Sequence, residues 1–102
     1  MTEEHGVSKL SSVTIYIMNG SVNGANDYLV VDLTNSDGTQ LPTSSPHAPT
    51  RFNGSIEAQG RREITVNGDN SEPPEANIGV KKNNLNWVGY RDIAAGSTVD
   101  MN

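Results

Sequence analysis

The chain has 102 residues, enough for one domain and too few for two of ordinary size. Its net charge of −5 argues against a nucleic-acid partner and against an anionic membrane surface. It contains no cysteine, which excludes disulfides, thiolate catalysis and cysteine-ligated zinc.

Residues 1–11 are largely polar and predict a flexible N-terminal arm ahead of a single domain over 12–102. The acidic start has no apolar stretch behind it. No signal peptide or transmembrane segment is expected, and the cytoplasm is favoured. The first strand is Val13 to Met18, with Val13, Ile15 and Ile17 on one face by period two and Tyr16 and Met18 on the other. Asn19 to Asp27, with two Asn-Gly pairs, is a broad loop or a short ragged hairpin and not a single tight turn. The second strand runs from Tyr28 to Thr34. Its alternation is read with Leu29, Val31 and Leu33 inward and Tyr28, Val30 and Asp32 outward.

Asn35-Ser36-Asp37-Gly38 predicts a turn, and Thr39 to Leu41 a short returning strand. Three prolines between residues 42 and 49 forbid regular ladder pairing, so 42–50 reads as an extended loop between sheets or along an edge. Phe52 reopens the strand pattern and Asn53-Gly54 interrupts it. Ser55 to Gln59 then alternates with Ile56 and Ala58 inside, and Glu63 to Val66 with Ile64 and Val66 inside. Residues 67–75 are the most polar stretch and form a loop. Ala76 to Val80 and Leu85 to Tyr90 are strands around a turn at Lys81 to Asn84, and Ser97 to Met101 is a last short strand.

Four Asn-Gly pairs, at Asn19, Asn23, Asn53 and Asn67, punctuate these runs and fit tight strand reversals, because Asn tolerates and Gly freely adopts positive φ. No window shows helical periodicity. The expectation is an all-β fold: a single small antiparallel β-sandwich, Ig-like or Greek-key in type, of about seven or eight short strands.

Catalytic chemistry finds little support. His5 and His47 are the two histidines, no Gly-x-Ser-x-Gly elbow accompanies them, and no phosphate-binding glycine motif occurs. Asp69, Glu72 and Glu75, near Asn67 and Asn70, offer oxygens of the kind calcium takes, but no metal or cofactor is assigned. The basic doublets Arg61-Arg62 and Lys81-Lys82 form no stripe. The best local constellation is aromatic and polar: Trp87 and Tyr90 flanked by Asn84, Asn86, Arg91 and Asp92. A sugar presents an apolar face ringed by hydroxyls, and aromatic rings beside amides and carboxylates answer both. Period two sends Trp87 and Tyr90 to opposite faces, and the indole is expected to anchor the core.

The functional expectation is a non-enzymatic binding module. It would present loops on a sandwich to a carbohydrate, a lipid headgroup or a protein surface. The alternatives are a structural or assembly subunit built through exposed strand edges, consistent with a homo-oligomer, and a protease inhibitor presenting the proline-rich loop.

Overall fold

The computed structural model describes residues 11–102. Of the expected arm, all but Ser11 lies outside the described residues. Seven strands carry the regular structure: β1 (Ser12–Met18), β2 (Asn26–Asp32), β3 (Thr50–Ile56), β4 (Arg61–Asn67), β5 (Ala76–Lys82), β6 (Trp87–Ile93) and β7 (Thr98–Asp100). They form a three-stranded sheet in the order β4-β1-β7 and a four-stranded sheet in the order β3-β2-β5-β6. The two sheets pack face to face as a small β-sandwich. Every ladder is antiparallel except β1 with β7, which runs parallel from Tyr16↔Thr98 to Met18↔Asp100.

The alternation reads correctly through most of the core. Val13, Ile15 and Ile17 of β1 and Ile64 and Val66 of β4 line one inner face, and Ile56, Ile78 and Val80 line the other. Strand β2 has the opposite phase to the one expected. Tyr28 and Val30 join the core, both at most 1% exposed, whereas Leu29 is half-buried on the outer face. A register shift between Val30 and Val31 falls in the same strand. Both faces of β2 carry apolar side chains, and Val31 on the outer face is buried too, so period two alone does not say which faces inward. Asp32, expected outside, is fully buried. Its carboxylate accepts hydrogen bonds from Thr34 N (3.0 Å), Asn67 N (2.8 Å) and the Arg51 guanidinium (3.1 and 3.2 Å), tying β2 to β3 and to the end of β4.

The Asn-Gly pairs do not make the strand reversals. Asn53-Gly54 lies inside β3, paired with Leu29 and Tyr28 of β2, and does not interrupt it. Among the described residues the non-glycine positions at positive φ are Gln59, Asn83, Asn84 and Asp92, and the glycines are Gly38 and Gly96. The β5–β6 hairpin turns on Asn83-Asn84, both left-handed, with Leu85 N donating to Lys82 O at 3.0 Å. The strand expected over 55–59 stops at Ile56. Ala58 is half-buried in a turn closed by Gly60 N donating to Glu57 O.

Asn19 and Asn67 act through their side chains. Fully buried Asn19 donates to Gly24 O and Ile56 O and accepts from Ser21 N and Asn26 Nδ2. Asn67 Nδ2 donates to Thr34 O. At these strand ends the ladder no longer satisfies the backbone, and a carboxamide, both donor and acceptor, takes over.

The proline-rich segment joins β2 to β3 within one sheet and so does not cross between sheets. It folds over the outer face of the four-stranded sheet. Gly79 and Gly89, neighbours in the β5–β6 ladder, leave room for it: a Cβ on Gly79 would sit 3.0 Å from Thr43 O and one on Gly89 2.8 Å from Thr43 Oγ1. Val31 and Leu33 are buried beneath this cover.

Candidate functional site

The strand register builds a row of side chains across the outer face of the four-stranded sheet. Asn53 pairs with Leu29, Leu29 with Lys81, and Lys81 with Trp87, so one residue from each strand stands in line. The Lys81 ammonium lies 5.2 Å from the centroid of the Trp87 ring, a cation–π contact. Beside this row is a cleft of about 280 Å³, lined by Asp27, Leu29, Asn53, Lys81 and Asn84. One wall is the Asn83-Asn84 turn, which Asn83 Oδ1 fastens to Asp27 N at 2.9 Å. On the other side the glycine pair under Thr43 lies one register step away along β5 and β6.

Most of the polar side chains of this cleft hold nothing else in place among the described residues. The side chains of Asp27, Asn53 and Asn84 make no hydrogen bond among the described residues, whereas those of Asn19, Asn26, Asn35, Asn67, Asn77 and Asn83 all do. A carboxylate, two primary amides, an ammonium and an indole therefore converge on one open surface.

A second concavity, of about 330 Å³, lies on the inner face near the β6 edge, between Val80, Lys82, Leu85, Val88, Tyr90 and Met101. The sheet opposite stops at the short strand β7, which leaves Val88 49% and Leu85 65% exposed. Burial pushes the Tyr90 phenol above its ordinary pKa, and the Asp100 carboxylate adds to the rise.

The structure distributes the six expected site residues over four places. Trp87 and Asn84 share the outer face, and Trp87 is half-buried there instead of anchoring the core. Tyr90 packs against the core from the opposite face, as period two predicts, and with Asn86 lines the inner groove. Arg91 pins the proline-rich segment, donating to Gln40 Oε1 (3.0 Å), Leu41 O (2.9 Å) and Thr43 Oγ1 (3.2 Å). Asp92 adopts positive φ, and its carboxylate approaches those of Asp69 and Glu75, with oxygens all within 4.8 Å of one another.

Of the three, Asp69 serves the fold. Its oxygens accept from Ser71 N, Glu75 N and Asn77 Nδ2. Burial alone would raise its pKa, but these donors outweigh it and hold the carboxyl below the ordinary aspartate value. Glu72 is not in the cluster. His47 sits exposed in the proline-rich segment.

Sequence reading missed Asp27, Leu29, Asn53 and Lys81. Their convergence depends on register across the three strands β3, β2 and β5, and the one local signal, Leu29, carried the opposite phase. Among the described residues no helix is long and apolar enough to cross a membrane. No family model, curated protein or solved structure matches the chain.

Proposed function

We propose that this chain is a non-enzymatic carbohydrate-binding module whose site is the outer-face cleft beside Trp87. The observation that carries the reading is the convergence of uncommitted polar groups, from Asp27, Asn53 and Asn84, beside the indole and Lys81. A pyranose has an apolar C–H face and equatorial hydroxyls. The indole and Leu29 suit the first, and the carboxylate and amides accept from and donate to the second. The strands β2, β3, β5 and β6 and the fastened Asn83-Asn84 turn hold these groups in place before binding, which lowers the entropic cost.

A glycan array followed by titration calorimetry tests the reading. A hit should weaken at least about tenfold in Trp87→Ala and in Asn53→Ala, as expected for groups at the centre of a small site. Tyr90→Phe, altered on the opposite face, should bind as wild type. A full array without a hit, or a hit that survives Trp87→Ala, defeats the reading.

The second reading, an assembly subunit, is favoured by the uncovered inner face of β6. Val88 of β6 and the neighbouring Leu85 are exposed, and among the described residues β6 is an edge strand with no partner on its far side. Size-exclusion chromatography over a range of concentrations should then show an oligomer that Val88→Lys dissociates. A monomer throughout removes this reading and leaves the first untouched.

A further inference from the structure

The four Asn-Gly pairs are chemically alike, and the fold makes them unlike. From this contrast we infer that Asn23-Gly24 is a site of spontaneous backbone modification, by deamidation through a succinimide, and that the other three pairs are protected in the folded protein.

In the reaction the Gly24 backbone nitrogen loses its proton and attacks Asn23 Cγ. The tetrahedral adduct collapses with loss of the side-chain nitrogen as ammonia, leaving a five-membered imide. Water opens the imide at either carbonyl and gives aspartate or isoaspartate. The net change is one water consumed and one ammonia released, with no redox partner. It requires a free carboxamide, an unbonded glycine N–H, and a backbone able to bring that nitrogen onto Cγ. Glycine assists because no Cβ obstructs the approach.

Three pairs fail these requirements. The Asn19 carboxamide is fully buried in four hydrogen bonds, and Gly20 N donates to Asp100 Oδ1 at 3.1 Å. Asn67 Nδ2 donates to Thr34 O at 2.9 Å, and Gly68 N donates to Ser11 O at 3.2 Å. Asn53 and Gly54 are held in the β2–β3 ladder, where ψ stays near about +135° and the glycine nitrogen cannot swing onto Cγ.

Asn23-Gly24 meets the first two, and it lies outside any ladder that would fix its ψ. Both residues are exposed, and neither the Asn23 carboxamide nor Gly24 N is hydrogen-bonded among the described residues. A Cβ placed on Gly24 would meet nothing within 4 Å. The loop is fastened on either side of the reactive bond, by Gln59 Nε2 on Ser21 O and by Asn19 Nδ2 on Gly24 O, so the segment between stays open to solvent. The product adds one negative charge to a chain already at −5, and the isoaspartyl form also lengthens the backbone inside this fastened loop.

The test is to incubate the intact protein at mildly alkaline pH and follow all four asparagines by peptide mass spectrometry and isoaspartyl methylation. Asn23 should convert first. The other three should lag by at least about tenfold, as sites that react only after local opening do. In urea the four should convert at similar rates. Gly24→Ala should suppress conversion at Asn23 without lowering the melting temperature, because the site has room for a methyl group. Conversion of Asn19, Asn53 or Asn67 in the folded protein as fast as Asn23 would overturn the inference. So would an inert Asn23 in a protein whose urea-unfolded form reacts.

Discussion

Removing the Asp32 carboxylate should cost more than removing its ion-pair partner, because most of what it holds is backbone. In Asp32→Ala, Thr34 N loses its acceptor at a fully buried residue, and Asn67 N loses one at a half-buried residue. An unsatisfied buried donor costs about 1–3 kcal/mol, so the two together remove roughly 2–4 kcal/mol, allowing for partial hydration of Asn67 N. The Arg51 side chain is 34% exposed and can turn to water, so its own loss adds little. Arg51→Ala leaves the carboxylate with both backbone donors and should cost about 1 kcal/mol. For a domain of this size a loss near 3 kcal/mol lowers the melting temperature by roughly 12–20 °C. Urea unfolding followed by tryptophan fluorescence and far-ultraviolet dichroism measures both variants. The reasoning is refuted if Asp32→Ala lies within about 0.5 kcal/mol of wild type, the range of an unremarkable surface change, or if Arg51→Ala costs as much.

Arg91→Ala should release the proline-rich segment from three hydrogen bonds, and limited proteolysis should then cut between residues 42 and 49 faster than in wild type while the sandwich melts only slightly earlier. At the β5–β6 turn, Asn84→Val should cost about 1–2 kcal/mol by thermal denaturation, because a β-branched residue resists positive φ, whereas Asn84→Gly should be neutral. The pKa of Asp69 is depressed in the folded chain, so its carboxylate contributes stability that is complete above the ordinary aspartate value, about 3.9, and is lost as pH falls through the lower folded value. The stability gap between wild type and Asp69→Asn should therefore be widest near neutrality and close in acid; a gap independent of pH from 7 down to about 2 contradicts this.

The fold was legible because burial on one face leaves a period-two record. Val13, Ile15 and Ile17, then Ile64 and Val66, then Ile78 and Val80 show it, and all of them reach the core. The record failed at β2, where Tyr28 and Val30 compete with Leu29 and Val31 and both sets are apolar. It also failed at asparagine. The same residue type reverses the chain at Asn83-Asn84, bonds strand ends through its carboxamide at Asn19 and Asn67, and stands in an ordinary ladder at Asn53. Backbone tolerance and side-chain bonding are both properties of Asn, and only the tertiary setting selects between them. The site was less legible than the fold for a further reason. Trp87 and Asn84 are near neighbours in sequence, but Asn53 and Leu29 reach them only through register, and register over long separations leaves no local mark.

The division of the outer sheet face follows from two glycines. Gly79 and Gly89 stand opposite each other in β5 and β6, and with no side chains there the backbone of Thr43 can lie against the sheet. The proline-rich segment settles on that strip and shelters Val31 and Leu33. Two residues further along β5, and two back along β6, the side chains are Lys81 and Trp87, which project too far for the segment to continue over them. The cover stops, and the Asn53–Leu29–Lys81–Trp87 row stays open. A Cβ at Gly79 would press on Thr43 O and on Val31 Cγ2, 3.2 Å away, both held by backbone or core packing. The boundary of the cleft is thus fixed by the sheet itself: the strip of glycines ends where Lys81 and Trp87 begin.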